Sequence, residues 1–174
     1  MESPLLVPSN SKIVVQTAEP NCSFDYLANH SSAIPEIANW HFREWAPIYP
    51  EWTLEKVEVE LRSHPPTPSI PTTLIALDNG RPVGSVSLLT DDLKGWEHLS
   101  PWLGSLYVLP PERGRGLGRS LVQRAVAEAR AIGISNLYLF TDSQEAFYLK
   151  LGWTRVCVTV HHERQITILV AKLR

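Results

Sequence analysis

The run Arg113-Gly114-Arg115-Gly116-Leu117-Gly118-Arg119 carries residue types suited to holding a phosphorylated ligand. Glycine at every second position lets a backbone approach a ligand closely and adopt dihedrals closed to other residues. The amphipathic pattern that begins at Leu117 predicts a helix there. The first turn of a helix offers unpaired N–H groups and the positive end of the dipole. Together these make a cradle for an anion, to which Arg113, Arg115 and Arg119 can add charge. The spacing sets this cradle apart from two common ones. A dinucleotide fingerprint needs glycine where Arg119 stands, and a Walker A loop needs Gly-Lys-Ser/Thr, which the chain lacks. What stands here is Arg-x-x-Gly-x-Gly at Arg113, Gly116 and Gly118. The bland alternative on these residues alone is a tight turn before a helix that binds nothing.

The elements around the loop must present it. Trp102 to Val108 reads as a strand, ended by Pro110 and Pro111. The following helix, Leu117 to about Ile132, puts Leu117, Leu121, Val122, Ala125, Val126 and Ala129 on one face, and Gly133 stops it. Upstream, Lys12-Ile13-Val14-Val15-Gln16 reads as a first strand after a flexible tip at residues 1–10. A helix is expected from Ser31 or Ser32 to about Trp45, with Ser32 as cap, and a second from Thr53 to His64. Four prolines between Pro65 and Pro71 form a stiff linker. Thr72–Leu77 and Pro82–Thr90 make a hairpin about Asn79-Gly80. Asp91–Pro101 is a polar excursion. Downstream come a strand from Ile134 to Thr141, then a short helix to Leu151 capped by Asp142 or Ser143. A closing hairpin follows, Trp153–Val160 and Ile166–Leu173.

Composition narrows the function. A chain of 174 residues with 44% hydrophobic residues fits one globular domain over its whole length. A net charge of −2 gives no electrostatic footprint for nucleic acid. The longest apolar runs are too short to cross a membrane, and the first residues lack the pattern of a signal peptide. Cys22 and Cys157 are too few for a disulfide framework or a zinc site, so no metal is expected and the expected location is cytoplasmic.

Three segments, in this order and spacing, resemble the GNAT superfamily of acyl-CoA-dependent N-acetyltransferases. The first is Val108 followed by Arg113-Gly114-Arg115-Gly116-Leu117-Gly118, which looks like the family's pyrophosphate loop. The second, Leu137–Thr141, is similar to the strand that splays from its neighbour to admit the cofactor. The third, Phe147-Tyr148-Leu149-Lys150-Leu151-Gly152-Trp153, resembles the Phe-Tyr-x-x-x-Gly-Phe segment. The resemblance implies an α/β (α+β) GNAT fold, a mixed central sheet of about six to seven strands flanked by about four helices. It also implies acetyl-CoA as cofactor and direct acetyl transfer to a primary amine, on a small molecule, peptide or protein, within a ternary complex. A non-catalytic acyl-CoA-binding or sensing module is the alternative. The exposed strands of the closing hairpin are compatible with a homodimer.

Carried over residue by residue, the backbone from Gly114 to Arg119 would hold the pyrophosphate. The main chain of Leu106, Tyr107 and Val108 would pair with the pantetheine arm. Val108 N–H would stabilise the oxyanion, Gln144 would touch the cofactor, and Tyr148 would protonate the departing thiolate. Several relatives carry a Glu or His base in the central strand, near the positions of Trp102 and Gly104; this chain has neither. Asp91, Asp92, Glu97 and His98 are candidates beside a base-free route, and none is assigned. Trp40, His41, Arg43, Trp45, Trp52, Trp96, His161 and His162 fall where the family sets acceptor specificity. They read either as aromatic groove walls or, for Trp40 and Trp45, as core.

Overall fold

A computed structural model describes residues 22–173; the strand expected at Lys12–Gln16 lies outside that range. Among the described residues seven strands form one sheet in the order β1-β2-β3-β4-β5-β7-β6. They are β1 (Cys22–Tyr26), β2 (Thr72–Asp78), β3 (Arg81–Leu89), β4 (Trp102–Val108), β5 (Asn136–Thr141), β6 (Thr154–His161) and β7 (Arg164–Lys172). Within those residues four α-helices accompany them: α1 (Ile34–Trp45), α2 (Leu54–Ser63), α3 (Leu117–Ala131) and α4 (Glu145–Lys150). Every neighbouring pair is antiparallel except β4–β5, so the sheet is mixed.

Alternation along β2 sorts the core into two layers. Leu74 and Ala76 join Leu121, Val122 and Ala125 of α3, whereas Ile75 and Leu77 join Ile37, Trp40, Val57 and Leu61 of α1 and α2. The α1–α2 face also holds a buried polar rack. His41 Nε2 lies 2.9 Å from Ser85 Oγ, and His64 Nδ1 lies 2.8 Å from Thr73 Oγ1, which is itself 2.8 Å from Ser87 Oγ. Burial holds both imidazoles below their ordinary range, His41 at about 4, so each is neutral at pH 7.

Local chemistry explains the element ends. The Asn79-Gly80 turn takes φ of +50° and +80°, as a two-residue hairpin requires. Thr53 caps α2 by accepting from Lys56 N–H. Two expected caps are displaced. A 3-10 stretch, Leu27–Ala33, precedes α1, whose N-cap is Ala33 rather than Ser32; Pro35 sits at its start. Before α4, Thr141 Oγ1 accepts from Ser143 and Gln144 N–H, the task expected of Asp142 or Ser143. The closing hairpin turns on His162 and Glu163 alone, at φ of +45° and +61°, which is tighter than the five-residue turn expected. Its outer strand β6 is a sheet edge exposing Val156, Val158 and Val160.

Candidate active site

The centre of the site is a fork in the sheet. β4 and β5 are in register at one pair, Trp102↔Tyr138, supported by Tyr138 N–H donating to Pro101 O. Beyond it the strands part. The cause lies in β4: Ser85 faces Tyr107 and Ser87 faces Gly104, so Ser105 and Leu106 share the single partner Val86. Ser105 takes φ of +50° to accommodate the extra residue. A bulge of this kind bends its strand, and here it leaves the β5-facing edge of β4 open. A cleft of about 1320 Å³ runs through the fork, lined by Leu103–Val108 on one side and Phe140–Gln144 on the other.

Register decides which backbone groups face that cleft. Leu109 N–H donates to Val83 O, and Tyr107 opposes Ser85. In an antiparallel ladder hydrogen-bonded pairs alternate, so Tyr107 and Leu109 spend their main-chain groups on β3. Val108 turns its N–H and C=O the other way, toward the cleft. Its carbonyl accepts from Arg113 Nε at 2.9 Å. Of the three residues expected to offer main chain to the pantetheine arm, Val108 turns its backbone to the cleft, whereas the register turns that of Tyr107 to β3. The Tyr107 ring stacks on Trp40 at 5.5 Å and lies beneath the Arg113 guanidinium at 5.6 Å.

The glycine loop presents bare backbone. Gly114 and Gly116 take φ of +77° and +84°, and a Cβ on either would meet nothing within 4 Å. Gly116 is the N-cap of α3, and no side chain caps that helix. The first-turn N–H groups of α3 thus remain free for an anion at the cleft mouth. Gly114, Gly116, Leu117, Gly118 and Arg119 line the cleft. The three arginines have different tasks. Arg113 is held by Val108 O and the Tyr107 ring. Arg115 is ion-paired to Glu112 and is not among the lining residues. Arg119 lines the cleft and makes no side-chain hydrogen bond or ion pair among the described residues. A bare glycine loop, an uncapped helix start and an open fork fit a pyrophosphate with a long amide-bearing arm.

Across the fork, α4 supplies Tyr148. The residue is 7% exposed and its ring packs edge-on against Phe147 and Trp153, yet it lines the cleft. Burial pushes its phenol up to about 12, so the proton is kept through neutral pH. Gln144, at the start of α4, lines the cleft and is exposed.

The other end of the cleft is aromatic and acidic. Trp45, Tyr49 and Trp52 line it, with Tyr49 and Trp52 stacked at 5.0 Å, whereas Trp40 is buried in the core. Trp96 and His98 pair with each other and do not line the cleft. Glu44, Glu51, Glu60, Asp91, Asp92 and Glu97 do. Glu97 accepts Gly95 N–H, which lowers its pKa and keeps it ionised. His161 comes over from the closing hairpin to Tyr49, with a buried Nε2 that has no partner among the described residues. The base candidates thus separate: Asp91, Asp92 and Glu97 reach the cleft, and His98 does not.

Residues 34–153 match the sequence model of the Acetyltransferase (GNAT) family. A mycothiol acetyltransferase of Thermobispora bispora is 36% identical over 69 residues, 36% of this chain and 23% of that protein. An aminoalkylphosphonate N-acetyltransferase of Salmonella typhimurium is 36% identical over 86 residues, 45% of this chain and 54% of that one. The chain thus spans about half or less of the curated relatives it matches. Among solved structures, an aminoglycoside 6'-N-acetyltransferase complexed with coenzyme A superposes with a TM-score of 0.67 at 18% identity. That match covers 88% of this chain and 97% of the other, and at such identity it speaks for the fold.

Proposed function

The chain belongs to the GNAT acetyltransferase family, and we propose that it moves the acetyl group of acetyl-CoA to a primary amine by direct attack. One observation carries this reading: the uncapped, glycine-bare start of α3 opens into the β4–β5 fork, with Tyr148 on the facing wall. Bound acetyl-CoA supplies an activated acyl group as a thioester. The first-turn N–H groups of α3 and the Arg119 guanidinium bind its pyrophosphate. Gln144 adds a polar contact from the opposite rim.

Val108 N–H, turned toward the cleft, donates to the acyl oxygen as that oxygen gains charge. A preorganised donor of this kind is worth about 3–4 kcal/mol in the transition state. Arg113 holds the Val108 carbonyl and so fixes the peptide orientation at this end of β4. Tyr148 gives its phenolic proton to the departing sulfur, and its raised pKa ensures that the proton is there to give. Trp45, Tyr49 and Trp52 form the walls through which the acceptor enters.

Thiol release from acetyl-CoA tests the reading. The panel comprises 1,4-diaminobutane, spermidine, kanamycin, free amino acids and peptides with free N-termini or lysines. Release with one class and not with buffer supports transfer and names the acceptor. A rise in melting temperature with acetyl-CoA but no release with any amine would instead favour the sensing module. No release and no rise would remove acetyl-CoA.

A further inference from the structure

We propose that Asp92, seated against Gly104 with Glu60 beside it, receives the substrate's ammonium and takes its proton, so that the acceptor is an alkylammonium. This rests on the transfer reading above and adds to it the proton acceptor and the charge class of the substrate.

The geometry is a substitution in space. Gly104 lies on β4 where the strand enters the cleft, and it has no side chain to offer. Asp92 comes back over it from the β3–β4 connection, its Oδ2 only 2.7 Å from the point that a Cβ on Gly104 would occupy. Leu89 Cδ1 lies 3.0 Å from the same point. A carboxylate oxygen therefore stands where a side chain at position 104 would begin. No residue but glycine leaves room for it.

The surroundings suit a proton acceptor that waits for a cation. Two influences act on the Asp92 carboxyl, burial and the Glu60 charge, and both disfavour its ionised form, pushing it up to about 7. No donor within the described residues offsets them. From α2, Glu60, though an exposed residue, is itself raised by partial desolvation of its carboxyl. Tyr49, from the α1–α2 connection, is pushed up to about 12 by burial and by Asp92, so it stays neutral. Ser87, opposite Gly104 on β3, is linked through Thr73 to His64, which is neutral. Asp91, Lys94 and Glu97 are the other charged residues of this connection that line the cleft. Among the described residues no cation pairs with Asp92 or Glu60, Lys94 included, and an entering R–NH₃⁺ supplies that counter-charge.

The proton account closes. One N–H bond of the ammonium breaks, and Asp92 Oδ2 takes that proton, which later leaves to cleft water. The nitrogen loses a second proton as its bond to the acyl carbon forms. That proton restores the one Tyr148 gives to sulfur. The net release is one proton per acetyl group moved.

The test compares wild type, Asp92→Asn, Glu60→Gln and Gly104→Ala. With the amine that turns over, wild-type kcat/KM should rise with pH through a limb near neutrality. Asp92→Asn should lose about 100-fold or more in kcat and lose that limb, with KM for acetyl-CoA unchanged. Glu60→Gln should keep most of kcat, raise KM for the amine and move the limb to lower pH. Gly104→Ala, which displaces the carboxylate without removing it, should resemble Asp92→Asn and guards against a folding defect in that variant. Asp92→Asn with kcat within twofold of wild type and the same limb overturns the proposal and leaves acetyl transfer standing. If only neutral arylamines react, the charge class is wrong. If no amine reacts, the transfer reading fails and proton removal falls with it. The ammonium seat is then decided by whether 1,4-diaminobutane, and not 1,4-butanediol, raises the melting temperature of wild type but not of Asp92→Asn.

Discussion

Asp92 Oδ2 lies 2.7 Å from where a Cβ on Gly104 would stand, so a carboxylate from the preceding connection occupies the space that a side chain at 104 would need. Gly104→Ala separates their roles. The clashing atoms are the ends of the Asp92 and Leu89 side chains, which can swing, so the fold should survive with a loss of about 1–2 kcal/mol. Acetyl transfer should fall much further than stability. Urea denaturation beside steady-state kinetics checks this, and the double variant Gly104→Ala/Asp92→Asn should be no slower than Asp92→Asn.

Asp92 and His41 should bend the pH–stability curve in opposite senses. The folded-state pKa of Asp92 is raised to about 7, so its contribution is full below the usual aspartate pKa near 4. That contribution is lost as pH rises to about 7. His41 is depressed to about 4, so its contribution is full above about 6.5 and is lost as pH falls toward 4. The two slopes oppose each other between pH 4 and 6.5. Asp92→Asn should unmask a rise in stability across that window and should stabilise the protein most at pH 8. Melting temperatures from pH 4 to 8 measure it, at roughly 2–4 °C per kcal/mol; a difference that shrinks with rising pH would contradict it.

Much of this architecture could be read from the sequence, for reasons that differ by element. The Leu117–Ala131 helix was legible because its apolar residues recur with the helical period and Gly133 takes φ of +82° just after it. The Asn79-Gly80 hairpin was legible because both residues tolerate positive φ. The strand Cys22–Tyr26 was not, since its pairing with β2 and the hydrogen bond from Tyr26 to Glu128 are long-range. Nor was the bulge at Ser105, because serine carries no signal for φ of +50°. The missing base on β4 was visible as an absence at Gly104. That Asp92, and not Asp91, Glu97 or His98, folds back over it depends on the path of a connection whose spacing says nothing about direction.

Arg119 and Arg115 should differ as ligand contacts although both flank the same glycines. Arg119 lines the cleft unpaired among the described residues, whereas Arg115 does not line it and is ion-paired to Glu112. Arg119→Ala should raise KM for acetyl-CoA about tenfold, the scale of one charge-assisted hydrogen bond. Arg115→Ala should change it less than about twofold, since an exposed ion pair contributes little. Titration of the two variants with coenzyme A, followed by tryptophan fluorescence, distinguishes them; equal losses would place Arg115 in the site.

Gly84 should prove more demanding than Gly104. A Cβ there would lie 2.9 Å from the Tyr107 carbonyl oxygen and 3.0 Å from Leu121 Cδ1. The first is backbone committed to the β3–β4 ladder, so it cannot swing aside. Gly84→Ala should cost about 1–3 kcal/mol and should also lower turnover, because β4 must shift where Val108 faces the cleft. A variant of full stability in urea would show that β3 and β4 tolerate more separation than this packing implies.

Tyr148→Phe tests the acid. The Tyr148 hydroxyl makes no hydrogen bond among the described residues, and its ring contacts with Phe147 and Trp153 are edge-on, which phenylalanine can keep. Stability should therefore stay within about 0.5 kcal/mol, so a fall in activity cannot be blamed on the fold. The loss should be in kcat, about tenfold or more, with both KM values held, because the proton is needed only as sulfur leaves. The phenol pKa of about 12 adds a second expectation. Wild-type activity should show no descending limb from this group between pH 8 and 10. An unchanged kcat at pH 7 would remove Tyr148 from proton transfer and leave the thiolate, whose ordinary pKa is near 8.5, to depart unaided.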